Sequence, residues 1–393
     1  MESSSTDTSD TAPFLRLPIE IHFQILSYYE ADKSHHRRDL INRVSRVCRL
    51  LRELSLQLLL ANLRLPEAES FELKILDKYK HFRSFVRTLE MRFLCTNDVE
   101  QQANAIADRI SQHYFSNATK ISLRYENRDT DYFGKVTNAI SDNRPPNLRE
   151  LEIEIFPVRP EPFFWETDFQ PPEVKPPNDP TQRYVRYPSG LERITLISAP
   201  IWDDISEKSL TFNLLNPLKA STDTLTSISI NANSWDPEFV AGIECPKVKQ
   251  LAVYQGSMPL RDIMADSINI LCPNIEELVL NPTFLKKHLG QGSSLKVDIE
   301  ELYLQWKVLS RVKRVLVYYH EDGYIPATTD DHREYVTPNA ENLIQRWTKL
   351  GQMPDLETVE FKRHGHRGSH ISLFSFKFRV KRTSDAIVGI EEI

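Results

Sequence analysis

Nine times between residues 86 and 361, the chain places three apolar residues at the first, fourth and sixth positions of a short segment. The sets are Val86/Leu89/Met91, a weaker Ala118/Ile121/Leu123, Leu148/Leu151/Ile153, Leu191/Ile194/Leu196 and Leu225/Ile228/Ile230. Val248/Leu251/Val253, Ile275/Leu278/Leu280, Val312/Val315/Val317 and Leu356/Val359/Phe361 complete the series. The last two apolar residues of each set alternate with other, mostly polar, positions, which predicts a short strand buried on one side. Turn-forming residues often precede a set, as in Arg144-Pro145-Pro146-Asn147, Pro188-Ser189-Gly190, Cys245-Pro246, Cys272-Pro273-Asn274 and Met353-Pro354-Asp355. Helical returning segments are predicted over Val99–Tyr114, Tyr132–Ser141, Leu260–Leu271, Ile299–Leu309 and Ala340–Leu350. Within the third, Ile263, Met264, Ile268 and Leu271 fall at helical spacings.

A different pattern precedes the sets. In LRLPIEIHFQILSYYE, Pro18 opens a helix, because its fixed φ suits the first turn and its missing N–H is not needed there. Ile21 and Ile25 lie four apart with Leu26 beside them. After the polar break EADKSHHRRD, a second stripe follows at Leu40, Val44, Val47, Cys48 and Leu51. Two short helices with this much apolar surface need a partner, inside the chain or outside it. Leu17-Pro18, Glu20-Ile21, Ile25-Leu26, Val47-Cys48-Arg49 and Leu51-Arg52-Glu53-Leu54 resemble the F-box, by which substrate receptors attach to the Skp adaptor of cullin–RING ubiquitin ligases. The run VCRLLRELSLQLLLANLRL is similar to F-box proteins of fungi whose F-box leads into leucine-rich repeats. Tyr28-Tyr29-Glu30, where the family more often has a leucine, and the long polar break depart from that pattern. The resemblance implies that Leu17, Pro18, Ile21, Ile25, Leu26, Leu40, Val44, Val47, Cys48 and Leu51 bind the adaptor.

The L-x-x-L-x-L sets match the signature of leucine-rich repeats, each a strand and a returning segment. Their spacing is irregular: 27 residues from Val248 to Ile275, but 43 from Leu148 to Leu191. The expected fold is α/β: a short helical F-box, then an irregular leucine-rich-repeat solenoid, or horseshoe, with a C-terminal capping hairpin. The expected boundaries are a disordered tail over 1–12, F-box helices over 13–65, the repeat domain over 66–383 and a mobile charged tail over 384–393. An insertion at 156–190 is rich in proline and aromatics, which blocks helix and central strand and predicts a long loop. Its Phe163-Phe164-Trp165 cluster is read as folding back on the repeats. Near the C-terminus, Phe374, Phe376, Phe378 and Val380 alternate with Ser375, Lys377 and Arg379. That run predicts a hairpin with the Val359/Phe361 strand, covering the last repeat.

Composition narrows the function. The net charge of −6 supplies no overall field for nucleic acid or anionic membrane. No segment has the roughly 20 uninterrupted apolar residues that span a bilayer. The four cysteines, Cys48, Cys95, Cys245 and Cys272, form no Cys-x-x-Cys pair. Cys245 and Cys272 occupy the same phase of successive sets and read as small buried residues in a reduced, intracellular chain. Arg43, Arg46, Arg49 and Arg52 step by three and so spread around a helix rather than forming a basic stripe. Gly290-Gln291-Gly292 reads as a turn. His364, His366 and His370 lack a nearby thiolate or carboxylate, so no metal or cofactor is expected. No hydrolase, phosphate-loop or metalloprotease motif is present.

Function is therefore expected from surface. The alternate residues of each strand would line a concave sheet. Arg92, Arg124, Glu152, Glu154, Asn231, Tyr254, Tyr318 and Lys362 are the candidates for contact with a protein substrate. The resemblance implies a non-catalytic substrate receptor of an SCF-type ubiquitin ligase, cytoplasmic or nuclear, partnered by a Skp-family adaptor and the cullin–RING complex. The alternative is a repeat scaffold outside ubiquitination, whose helical hairpin is only a cap. That reading predicts that Ile21, Ile25 and Leu26 are buried within the chain.

Overall fold

The computed structural model describes residues 17–22, 24, 43, 49–65, 71–93, 99–125, 131–155, 186–198, 217–231, 242–254, 268–281, 309–319, 329–349, 351, 353–363, 375–383 and 386–393. Outside them lie Ile25, Leu26, Leu40, Val44, Val47, Cys48, the insertion up to residue 185, the Gly290/Gly292 turn and His364, His366 and His370. The expected 1–12 tail and most of the helices expected over 260–271 and 299–309 lie outside them as well.

A twelve-stranded sheet with helices makes the chain mixed α/β. The strands are β1 Asn62–Leu65, β2 Thr88–Phe93, β3 Lys120–Tyr125, β4 Glu150–Ile155, β5 Arg193–Ser198, β6 Ser227–Asn231, β7 Gln250–Tyr254, β8 Glu277–Asn281, β9 Arg314–Tyr319, β10 Thr358–Arg363, β11 Ser375–Thr383 and β12 Ala386–Glu392. They lie in the sheet in chain order. Pairs from β1 to β10 are parallel, and β10–β11 and β11–β12 are antiparallel. Among the described residues the longer helices are α1 Arg49–Ala61, α2 Phe71–Lys78, α3 Val99–Ser111, α4 Asp131–Asp142 and α5 Thr329–Lys349.

Register follows from burial. In every set the fourth- and sixth-position residues pair with their counterparts next door: Leu89 with Ile121, Ile121 with Leu151, and on to Val315 with Val359. A one-residue slip would turn both buried rows to the opposite face, so the apolar pattern fixes the pairing. All 27 residues of the nine sets are buried, none more than 2% exposed. They join Ile106 and Ile110 of α3, Val136 and Ile140 of α4, and Leu343 and Trp347 of α5 in one continuous cluster.

The first residue of each set closes a turn. The N–H of Ala118 donates to Phe115 O (2.9 Å), that of Val248 to Cys245 O (3.2 Å) and that of Ile275 to Cys272 O (3.2 Å). At Leu191 the buried Ser221 hydroxyl stands in: it accepts from Leu191 N–H at 3.2 Å and donates to Pro188 O at 3.4 Å. The backbone ladder also extends one residue before each strand, through Thr119 to Arg87, Arg149 to Thr119, Glu192 to Arg149 and so on to Glu357 to Lys313. Gly190, at φ +73°, is favoured as glycine on two counts. A side chain would be strained there, and its Cβ would lie 3.1 Å from the Arg144 guanidinium, which donates to Leu148 O and Gly190 O. Cys245 and Cys272 are fully buried and unbonded; burial pushes the Cys245 thiol up to about 12 and raises that of Cys272 as well.

Several expectations need correction. Residues 62–65, expected within the helical segment, are strand β1, and Leu60/Leu63/Leu65 is a tenth set, paired in register with Leu89 and Met91. Residues 386–392, expected as a mobile tail, are strand β12, paired with β11 beyond the hairpin and tied to α5 by Arg333 and Glu392 at 3.1 Å. Helix α5 starts eleven residues before the expected Ala340, and α2 was not expected at all. The antiparallel β10–β11 hairpin is as expected.

Candidate interaction surface

The sheet's second face carries the alternate residues, and the register stacks them in rows. The middle row runs Arg64, Glu90, Ser122, Glu152, Thr195, Ser229, Ala252, Val279, Leu316, Glu360, Lys377. Flanking rows begin with Thr88, Lys120, Glu150 and Arg193 on one side and with Arg92, Arg124, Glu154 and Ile197 on the other. Directly opposed side chains in adjacent strands interact, so opposite charges in a row stabilise the sheet and like charges oppose it.

Over β1–β5 the charges interlock. Arg64 lies 2.8 Å from Glu90, Lys120 lies 2.8 Å from Glu152 and 3.9 Å from Glu150, and Arg193 lies 2.9 Å from Glu150. Arg124 lies 3.7 Å from Glu154. Burial, with the neighbouring Glu152 charge, pushes the Glu154 carboxyl up to about 7 despite Arg124. Burial opposes the Lys120 ammonium, but its hydrogen bond to Glu152 and that carboxylate's charge outweigh it, so its pKa is raised.

The flanking row continues as hydrogen bonds. Ser227 Oγ donates to Gln250 Oε1 (3.0 Å), Gln250 Nε2 donates to Glu277 Oε1 (2.6 Å), and Arg314 lies 3.2 Å from Glu277. The middle row here turns apolar: Ala252 and Val279 are buried and Leu316 half-buried. At β10, Glu360 accepts from Ser375 Oγ at 2.6 Å and lies 3.0 Å from Lys362 Nζ. Burial works against the Glu360 charge, but those two partners, with the Lys377 charge opposite it, win and hold its pKa below the usual value.

Of the candidate contact residues, Arg92 is exposed, and Arg124, Glu152, Glu154, Tyr318 and Lys362 are half-buried on this face. Asn231 and Tyr254 sit at paired strand positions in the same row as Asn281. Among the adaptor candidates, Leu17, Pro18 and Ile21 are exposed at a helical turn, together with Ile19, which the sequence reading did not single out. Leu51 is instead buried within the chain on α1, as are Leu54 and Leu58, and α1 packs on the 3-10 turn Lys80–Phe85. The sequence pattern predicts Lys377 and Arg379 as the polar side of a capping strand. They are exposed on the same face as Lys362, and their alternation with Phe376 and Phe378 was the available signal.

Among the described residues, no group of three or more His, Cys, Asp or Glu side chains could hold a metal ion, and no helix is long and apolar enough to cross a membrane. The chain matches no protein-family model, and no curated protein is detectably similar to it.

Proposed function

We propose that this chain is the substrate-recognition subunit of a Skp–cullin–F-box ubiquitin ligase, an irregular leucine-rich-repeat solenoid carried by an N-terminal F-box. The observation that carries the reading is the set of apolar side chains exposed at the N-terminus. Leu17, Ile19 and Ile21 are 39%, 49% and 37% exposed around Pro18, beside a chain whose other sets bury their apolar residues almost completely. Large apolar residues clustered in the open are the mark of a surface that a partner covers. Strict chain order in the sheet, the turns at the first residues of the sets, and the antiparallel β10–β12 cap support the solenoid. On this reading the chain catalyses nothing. It holds a substrate near the conjugating enzyme and raises its effective concentration there.

The alternative, a scaffold with a helical cap, expects Ile21, Ile25 and Leu26 to be buried; of these, Ile21 lies among the described residues. Burial of Leu51, Leu54 and Leu58 suits a cap for the second helix; exposure of Leu17 and Ile21 does not suit it for the first. The deciding experiment is capture of purified Skp adaptor by the full chain and by Leu17→Asp/Ile21→Asp. Both positions are exposed, so the variant keeps its fold. Stable capture by the parent and loss by the folded variant is the expected result. No capture by the folded parent would sink the receptor reading in favour of the scaffold.

A further inference from the structure

We infer that the β9–β11 end of the polar face docks an extended acidic segment of a partner protein, one carrying an apolar residue about three positions from its acidic pair. This rests on reading the polar face as the substrate-binding surface, and it names the substrate class.

The first observation is charge left over. Five cations lie on this end: Arg314, Lys362, Lys377, Arg379 and Lys381. Three are matched: Arg314 by Glu277 (3.2 Å), Lys362 by Glu360 (3.0 Å) and Lys381 by Glu391 (3.3 Å). Lys377 and Arg379 are exposed; they stand opposite Glu360 and Glu391 in the register but make no ion pair with a described residue, so five cations share three described carboxylates. A local cationic excess on a chain of net charge −6 runs against its overall field, so it selects anions locally.

The second observation is an apolar strip in the same row. Ala252, Val279 and Leu316 lead through Glu360 to Lys377. Leu316 and Lys377 stand two strands apart, about 10 Å, which three residues of extended chain span. A segment crossing the strands would therefore set an apolar side chain on the half-buried Leu316, the open end of a strip whose Ala252 and Val279 are buried, and its carboxylates on Lys377 and Arg379. A nucleic acid fits worse. Its affinity comes from many successive phosphate contacts, whereas Glu277, Glu360 and Glu391 interrupt the cations here.

The test is fluorescence anisotropy with the full chain and a labelled peptide in which a leucine precedes a glutamate pair by three residues. Comparators are the peptide with lysines for the glutamates, the peptide with serine for the leucine, and a single-stranded oligonucleotide. The parent is expected to prefer the leucine–glutamate peptide over all three. Lys377→Glu/Arg379→Glu is expected to weaken it at least about tenfold, the scale of one lost close charge pair. Lys219→Glu/Lys247→Glu, the same charge change at exposed positions off this face, leaves it unchanged. Absence of peptide binding, indifference to the reversal in a variant with the parent's circular dichroism, or equal binding of the oligonucleotide would each overturn the proposal. Adaptor capture run on the same proteins separates the two readings. Capture without peptide binding leaves the receptor role standing and removes this surface; peptide binding without capture does the reverse.

Discussion

The polar face over β2–β5 and the polar face over β9–β11 stand on the same two buried rows, yet they dispose of charge differently. In the first, Lys120 serves two carboxylates, Arg193 serves one of them as well, and Arg124 faces Glu154. In the second, Lys377 and Arg379 make no ion pair among the described residues and share Glu360 and Glu391, opposite them in the register, with Lys362 and Lys381. The difference arises from register. Each side chain's directly opposed neighbours come from the strands on either side, so exchanging a single residue changes contacts with both at once. A face that neutralises itself gains order and offers little to a charged partner. A face with cations to spare offers a partner something its own chain does not.

The comparison assumes a common foundation, and the largest expected effect tests that. Leu123→Ala in β3 and Leu280→Ala in β8 each remove a side chain no more than 1% exposed from the same buried row. Each is expected to cost about 2–5 kcal/mol, the range for leucine truncation in a packed core. Denaturant midpoints would measure it. A large loss at one site and almost none at the other would mean that the two ends do not share one core, and the comparison would then concern two separate bodies.

The apolar skeleton was legible in the sequence because period two over a half-buried strand leaves little choice. Every residue of the nine sets is buried as its position requires. Leu60/Leu63/Leu65 escaped for a physical reason. The run LQLLLANLRL continues the helical stripe of α1, and leucine fits either period, so nothing local marks where helix gives way to strand at Asn62. Strand β12 escaped because AIVGIEE is short and ends in two charges, and its partner β11 is itself the cap. The candidate contact residues were legible as a face, since Arg92, Arg124, Glu152, Glu154 and Lys362 alternate with the buried positions. Which charges would be neutralised was not legible. That depends on what stands opposite in the next strand, and for Arg193 the opposite residue, Glu150, lies 43 positions away.

Removing one cation from each region sharpens the contrast. Lys120→Met leaves Glu152 without its 2.8 Å partner and is expected to cost about 1 kcal/mol, the upper end for such pairs. Lys377→Met removes no ion pair with a described residue, only the weaker pull of its charge on Glu360 opposite, and is expected to change stability by less than about 0.5 kcal/mol. Urea midpoints of the two variants decide it. Equal losses would show that Lys377 is engaged within the folded chain, which would also undercut its role as a free anion site.

The smallest effect separates the regions by sign. Glu154 has its pKa raised, by burial first and the Glu152 charge next, to about 7. The fold therefore favours its protonated form. That contribution is complete below the ordinary value of 4.5 and is lost as the pH rises through about 7. Glu360 has its pKa lowered, because the Ser375 and Lys362 hydrogen bonds outweigh burial. Its contribution is present above 4.5 and disappears as the pH falls through the lowered value. Between pH 5 and pH 8, then, the stability of the parent relative to Glu154→Gln should rise on acidification, while that relative to Glu360→Gln should stay level. Thermal midpoints of the three proteins across that window measure both slopes. A level Glu154 difference would mean that Arg124 at 3.7 Å holds that carboxylate ionised after all. The β2–β5 face would then be fully paired, and the contrast with β9–β11 would be sharper still.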